Sequence, residues 1–117
     1  MLSLVLCLLV AALHTYFLFL EMVLWEAPRT RAAFGTTAEF ARASRVLAGN
    51  QGLYNGFLAA GILFAVLTGE AGRPALIFCL ACVVVAGVYG AVTANRRILF
   101  IQAFPGALAL IAALLRV

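Results

Sequence analysis

Residues 2–25 of the chain read LSLVLCLLVAALHTYFLFLEMVLW, one continuous apolar run. A helix needs about 20 apolar residues to cross the hydrocarbon core of a bilayer, so this run predicts a transmembrane helix. His14 lies near its middle, and Glu21 follows seven positions later. Seven residues are two helical turns, so both side chains leave the same face, about 10 Å apart along the axis. Because ionisable groups at that depth cost several kcal/mol, this pair indicates a functional site.

The composition of the whole chain supports a membrane protein. The 117 residues are 67% hydrophobic and 10% charged, and their mean hydropathy is +1.16. A soluble domain of this size has too little interior to bury so much apolar side chain. Its apolar residues form continuous runs and do not alternate, which excludes spanning strands. The runs cover residues 2–25, 52–68, 74–94 and 97–115.

These runs predict an all-α membrane fold, a four-helix antiparallel transmembrane bundle with a single domain over residues 1–117. Short turns at 69–73 and 95–97 make the last three helices consecutive antiparallel neighbours. Between helices 1 and 2, Thr36 and Glu39 fit a capping box, with Thr36 as the N-cap. The capping box predicts a short amphipathic helix. It would lie on the inner membrane surface or continue directly into helix 2.

Charge predicts the orientation of this bundle. All eight basic residues are arginine. Two connections, between helices 1 and 2 and between helices 3 and 4, carry six of them: Arg29, Arg31, Arg42, Arg45, Arg96 and Arg97. The other side carries only Arg73 and Arg116. The positive-inside rule then places both termini outside. Nucleic-acid binding is not indicated, since no basic patch is interleaved with exposed aromatic residues.

With this orientation, polar side chains from all four helices fall in the cytoplasmic half of the bundle. Beside Glu21, they are Asn50, Gln51, Tyr54, Asn55, Tyr89, Thr93 and Gln102. Several are four positions apart and therefore share a helix face. We interpret the set as a pocket open to the cytoplasm. Glu21 and His14 would be its acid/base groups, and the other residues would orient a ligand. The alternative is a hydrogen-bond network that only fixes helix register.

The sequence contains little that indicates a metal site or a cofactor. Cys79 and Cys82 have the spacing of a redox or soft-metal pair, but they lie inside an apolar helix without a nearby histidine or acid. The chain has one histidine, so a zinc site is not expected. It also lacks a glycine-rich phosphate loop and a Ser/His/Asp set. No cofactor can be named from the sequence. Pro105 should bend the fourth helix.

Three stretches resemble a small four-helix bacterial membrane family, domain of unknown function 1304. They are His14-x-x-Phe17-x-x-x-Glu21-x-x-x-Trp25, then residues 50–61, and then Ala86-Gly87-x-Tyr89-Gly90-x-x-Thr93 followed by Gln102 and Pro105. The resemblance covers nearly the whole chain. It implies a short multi-pass protein of the bacterial cytoplasmic membrane, and it implies no reaction.

Three functions remain open from the sequence. The first is a pocket that binds or acts on a small lipophilic or amphipathic molecule with Glu21 and His14. The second is a proton-coupled transporter or exporter subunit, working as a homo-oligomer, with the same two residues on a proton path. The third is a structural or partner-stabilising subunit, in which the polar groups hold helices together. Whether the protein is an enzyme is left open by all of these.

Overall fold

The computed structural model describes residues 1–117 and is helical throughout. It contains five α-helices: α1 (Leu2–Met22), α2 (Pro28–Phe34), α3 (Ala38–Leu67), α4 (Arg73–Thr93) and α5 (Phe104–Leu115). A 3-10 turn at Gly69–Gly72 precedes α4, and a π-helical turn at Leu99–Ala103 precedes α5. Because no strand is present, the predicted all-α class is confirmed.

Three segments are long and apolar enough to cross a membrane: Leu2–Met22, Ala38–Leu67 and Gly69–Thr93. In each of them, at most 22% of the most apolar window is buried within the protein. The remaining surface is apolar and exposed, as expected for helices that face lipid. The structure has five α-helices, where four were predicted. The fourth apolar run forms the shorter apolar helical segment Leu99–Leu115, whose first five residues are π-helical.

The connection between the first two runs also differs from the prediction. It contains α2, which was not predicted and which begins at Pro28. Proline is well tolerated in the first turn of a helix, where its missing N–H has no partner to lose. Gly35, with φ of 68°, ends α2 in the left-handed conformation.

The predicted cap of the next helix is displaced by one residue. The backbone N–H of Phe40 donates to Thr37 Oγ1 at 3.1 Å, so Thr37 is the N-cap and Thr36 is not. Glu39 still lies in the first turn, where a carboxylate favours the helix dipole. The helix that starts here continues to Leu67 without a break. Of the two predicted arrangements, the amphipathic segment therefore runs directly into the second apolar helix.

The chain forms two compact units. We call residues 1–12 together with 58–117 the terminal unit, and residues 13–57 the connection unit. The core of the terminal unit draws side chains from four helices. It consists of Cys7, Val10, Ala11, Ile62, Leu80, Val83, Ala109 and Ala113. All of them are apolar or small, so this unit is held together by close packing.

Glycines bring the backbones of the terminal unit close together. A Cβ atom on Gly87 of α4 would lie 2.7 Å from the backbone nitrogen of Ala103, the last residue of the π-helical turn. A Cβ on Gly106 of α5 would lie 2.7 Å from Val83 Cγ1. Neither distance leaves room for a larger residue without movement. Directly before Phe104 and Pro105 lies the π-helical turn, in which the N–H of Phe104 donates to the carbonyl of Leu99.

The two chain ends meet in the terminal unit. The N–H of Ser3 donates to the carbonyl oxygen of Val117 at 2.9 Å. Nearby, Arg73 Nη2 lies 3.3 Å from the carbonyl oxygens of Ala113 and Leu114, at the C-terminal end of α5. The start of α1, the start of α4 and the end of α5 are thus at the same end of this unit.

The connection unit is closed by aromatic and charged contacts. Trp25 Nε1 donates to Ser44 Oγ at 3.0 Å, and its ring meets the ring of Phe34 edge-on, with centroids 5.0 Å apart. Glu26 forms ion pairs with Arg42 at 4.0 Å and with Arg45 at 3.8 Å. These two pairs are exposed and contribute little individually. The tryptophan contacts connect the end of α1 with α2 and with the start of α3.

Candidate functional site

Glu21 is the buried carboxylic acid of the connection unit. Its side chain is 3% exposed, and its Oε1 accepts a hydrogen bond from Asn55 Nδ2 at 2.7 Å. The contact is short because α3 carries glycine where it meets α1. A Cβ on Gly52 would lie 3.0 Å from Glu21 Cβ and 2.7 Å from Met22 Cγ. Glu21 is therefore hydrogen-bonded to one amide of the second apolar run.

The second oxygen of the same carboxyl group is different. Glu21 Oε2 is buried and has no hydrogen-bond partner. The side chain of Gln51 lies close to the carboxyl group but does not bond this oxygen. A buried polar atom without a partner costs about 1–3 kcal/mol. The carboxyl group is thus held by one oxygen, while the other can accept a hydrogen bond or carry a proton.

His14 is fully buried on the same helix. Its ring meets that of Phe17 edge-on, with centroids 5.6 Å apart. Two helical turns separate it from Glu21, about 10 Å along the axis. The two side chains are therefore too far apart to bond directly. A proton passing between them needs an intermediate carrier.

The remaining predicted residues of the connection unit are exposed. Asn50 Nδ2 donates to the carbonyl of Val46 in its own helix at 2.9 Å. Tyr54 is 67% exposed, and its ring meets that of Phe57 with centroids 5.8 Å apart. Within this unit the structure brings Glu21 and Asn55 together with Gln51 beside them. Asn50 and Tyr54 do not contact the buried carboxyl group.

The other three predicted residues belong to the terminal unit and bond to their own surroundings. Thr93 Oγ1 donates to the carbonyl of Tyr89 at 2.7 Å, which is a contact within α4. The Tyr89 side chain is 71% exposed. Gln102 Nε2, in the π-helical turn, lies 3.4 Å from the carbonyl oxygen of Val83. The side chains of Thr93 and Gln102 therefore bond to backbone carbonyl oxygens of α4.

The chain offers no cluster of three or more histidine, cysteine, aspartate or glutamate side chains that could hold a metal ion. Cys7, Cys79 and Cys82 are free thiols. Cys7 belongs to the apolar core of the terminal unit, and Cys79 packs against that core. Their surroundings are those of small apolar residues.

Sequence reasoning missed two polar arrangements. One is the Trp25–Ser44 hydrogen bond, for which the only signal was a tryptophan at the end of an apolar run. The other lies where the chain ends meet, around Arg73. The second was missed because single arginines outside the membrane were counted only for orientation.

The family described as "Protein of unknown function (DUF1304)" matches residues 8–114 of the chain. A similar protein is the "Uncharacterized protein YpaA" of Lactococcus lactis subsp. lactis (strain IL1403). It is 31% identical over 112 residues, which are 94% of this chain and 94% of the relative. No solved structure matches the chain. The chain belongs to the DUF1304 family, as the resemblance of its helix motifs predicts.

Proposed function

We propose that this DUF1304 protein binds a small amphipathic molecule inside the membrane and that Glu21 is its polar anchor and acid/base group. One observation carries the proposal. Glu21 is buried, Asn55 fixes one of its carboxyl oxygens, and the other oxygen is left without a partner. A fixed carboxyl group with one open oxygen has the geometry needed to accept a hydrogen bond or a proton from a ligand.

The chemistry of the carboxyl group defines the class of ligand. Its polar end must donate a hydrogen bond, as an amine or an alcohol does, because an ionised carboxylate only accepts. Its body must be apolar, because Glu21 lies on a helix apolar enough to span a membrane. His14 is the second acid/base candidate on the same helix, and Gln51 is the side chain best placed to assist Glu21. The proposal covers both simple binding and turnover.

We also propose that the protein crosses the cytoplasmic membrane of its bacterium four times, with both termini outside. The hydrogen bond between Ser3 and Val117 supports an even number of crossings, because it keeps the chain ends together. Three segments are long enough to cross, and Leu99–Leu115 would be the fourth. Six of the eight arginines lie in or beside the connections at residues 26–49 and 95–97, which favours the cytoplasmic side for both connections.

The main competing function is structural. The short Glu21–Asn55 hydrogen bond beside Gly52 would then fix the register of α1 against α3 and nothing more. Polar contacts between helices in a membrane commonly have that role. The two functions differ in what the open oxygen does, so they respond differently to substitutions of Glu21.

The test compares Glu21→Gln with Glu21→Leu in purified protein, using dodecylamine and dodecanol as probes. Glutamine keeps the shape of the side chain and a hydrogen bond to Asn55. The free energy of unfolding of the Glu21→Gln protein should therefore lie within about 1 kcal/mol of the native value, but this protein should no longer bind the probes. Leucine leaves the Asn55 amide unpaired and should destabilise the protein by about 1–3 kcal/mol. The measurements are thermal unfolding with and without each probe, and probe retention by native mass spectrometry.

Glu39→Gln is the matched control, because Glu39 is an exposed carboxylate at the start of α3. It should bind both probes as the native protein does. A Glu21→Gln protein that is stable and retains the probes would overturn the ligand proposal. The structural function would then account for Glu21.

A further inference from the structure

A second polar site, formed by residues other than Glu21 and its neighbours, lies in the terminal unit. A cavity of about 240 Å³ opens where the start of α1, the 3-10 turn, the start of α4 and the end of α5 meet. Its polar lining comes from Ser3, Glu70, Arg73 and Arg116. One water occupies about 30 Å³ in the liquid, so the cavity can hold a group of several non-hydrogen atoms.

Arg73 is one of the two arginines that line this cavity. Its Nη2 is held by the carbonyl oxygens of Ala113 and Leu114, each at 3.3 Å. Its Nε is buried and has no hydrogen-bond partner. Arg73 also takes part in none of the ion pairs of the protein. The guanidinium is therefore fixed in position, with an unused donor and an uncompensated charge.

The only carboxylate of the cavity is already engaged. Glu70 Oε2 lies 3.4 Å from Arg116 Nη1, and both side chains are largely exposed at the rim. This pair leaves the charge of Arg73 unbalanced. An anionic oxygen is the partner that a guanidinium binds best, and phosphate and carboxylate groups present such oxygens in matching geometry.

Much of the remaining lining is apolar. It includes Leu4, Val66 and Leu76, together with the thiol-bearing Cys7 of the core, and we call these four residues the apolar wall. All these residues lie on helices that are apolar enough to span a membrane. A cavity lined by a cation and by an apolar wall fits a molecule with an anionic head and an aliphatic chain. The end of a spanning helix also lies at the depth of lipid headgroups, where such molecules are found.

We propose that this cavity binds a phosphate group, with Arg73 as its principal ligand and with the apolar wall receiving the adjoining aliphatic chain. The group can belong to a phospholipid headgroup or be free phosphate. This site is independent of Glu21, and its success or failure leaves the proposed function untouched.

The experiment measures binding of dioleoyl phosphatidylglycerol to the full chain in detergent by native mass spectrometry and thermal shift. Dioleoylglycerol, which has the same chains without the phosphate, is the first control, and inorganic phosphate is the second. Arg73→Gln should weaken phosphatidylglycerol binding roughly tenfold or more, because a charge-assisted hydrogen bond is lost. Arg97→Gln removes an exposed arginine outside the cavity and should leave binding unchanged.

A second variant keeps the proposal testable if Arg73→Gln fails to fold. Val66→Phe fills the apolar wall while leaving Arg73 and its two carbonyl contacts intact, and it should also weaken phosphatidylglycerol binding. Binding of phosphatidylglycerol alone supports a lipid headgroup, and binding of inorganic phosphate with the same dependence on Arg73 supports free phosphate. Equal binding of dioleoylglycerol, or equal phosphate binding by folded native and variant proteins, would overturn the site.

Discussion

The two units of the protein are stabilised in different ways. All three buried polar residues of the chain, His14, Glu21 and Thr30, lie in the connection unit. The core cluster of the terminal unit contains only apolar or small side chains. The buried face of α1 changes from apolar to polar along its length. Its first half contributes Cys7, Val10 and Ala11 to the apolar core, and its second half carries His14 and Glu21.

This difference separates a unit that is held by packing from a unit that also buries polar side chains. Lipid chains are as apolar as leucine, so helices in a bilayer gain little from burying apolar surface and rely on close contact between small residues. The terminal unit follows this rule at Gly87 and Gly106. The connection unit also buries a hydrogen-bonded carboxyl group, that of Glu21. Three predictions test this division, and the one with the largest expected effect comes first.

The orientation of the chain should give an all-or-none result. We expect a reporter that is active only in the cytoplasm to be silent when it is fused to Val117, because most arginines lie in the connections and not near the termini. The same reporter inserted at Gly35, the exposed end of α2, should be active. The measurement is reporter activity in whole cells at equal expression. Activity at Val117 would reverse the assignment of sides.

Packing in the terminal unit should tolerate no added atom at Gly87. Gly87→Ala places its Cβ 2.7–2.8 Å from the backbone of Ala103, which cannot move as a flexible side chain can. We expect a loss of about 2–3 kcal/mol in the free energy of unfolding, measured by thermal or denaturant unfolding in detergent. Gly49→Ala is the matched control, since a Cβ there meets no atom within 4 Å. Similar stability of the two variants would contradict the packing argument.

The smallest effect is expected at the aromatic contacts of the connection unit. Trp25→Phe removes the hydrogen bond to Ser44 but keeps an aromatic ring beside Phe34. We expect a loss of about 1 kcal/mol, and Ser44→Ala should cost little more once Trp25 has been replaced. A double-mutant cycle of unfolding free energies measures the coupling. Fully additive losses would show that the hydrogen bond does not contribute.

The sequence predicted the main helices because each apolar run is long enough for only one interpretation. Helix α2 was missed because a proline is common both after the end of one helix and in the first turn of the next. Only Gly35, after the segment, marked a helix end. The π-helical turn at the start of the fourth run was also missed. Within this turn, Ala103 lies against Gly87 of α4, and a contact between residues so far apart in the sequence leaves no local pattern.

The candidate site was predictable in part. Counting depth along each helix brought Glu21 to the level of the amides on the second apolar run, and Asn55 bonds it. The same count could not separate Asn55 from Tyr54, its immediate neighbour, which is mostly exposed. The choice between them depends on the rotation of α3, and that rotation follows from the contact of Gly52 and Gly56 with α1.

The short segment Leu99–Leu115 has a consequence for the lipid around it. At 1.5 Å per residue it is about 25 Å long, while the hydrocarbon core of a typical bilayer is about 30 Å thick. If this segment makes the proposed fourth crossing, the mismatch is relieved by a thinner bilayer, by flanking side chains that reach the interface or by oligomerisation, each at a cost of a fraction of a kcal/mol per ångström. Where the bilayer thins, short-chain lipids would gather along this edge of the protein.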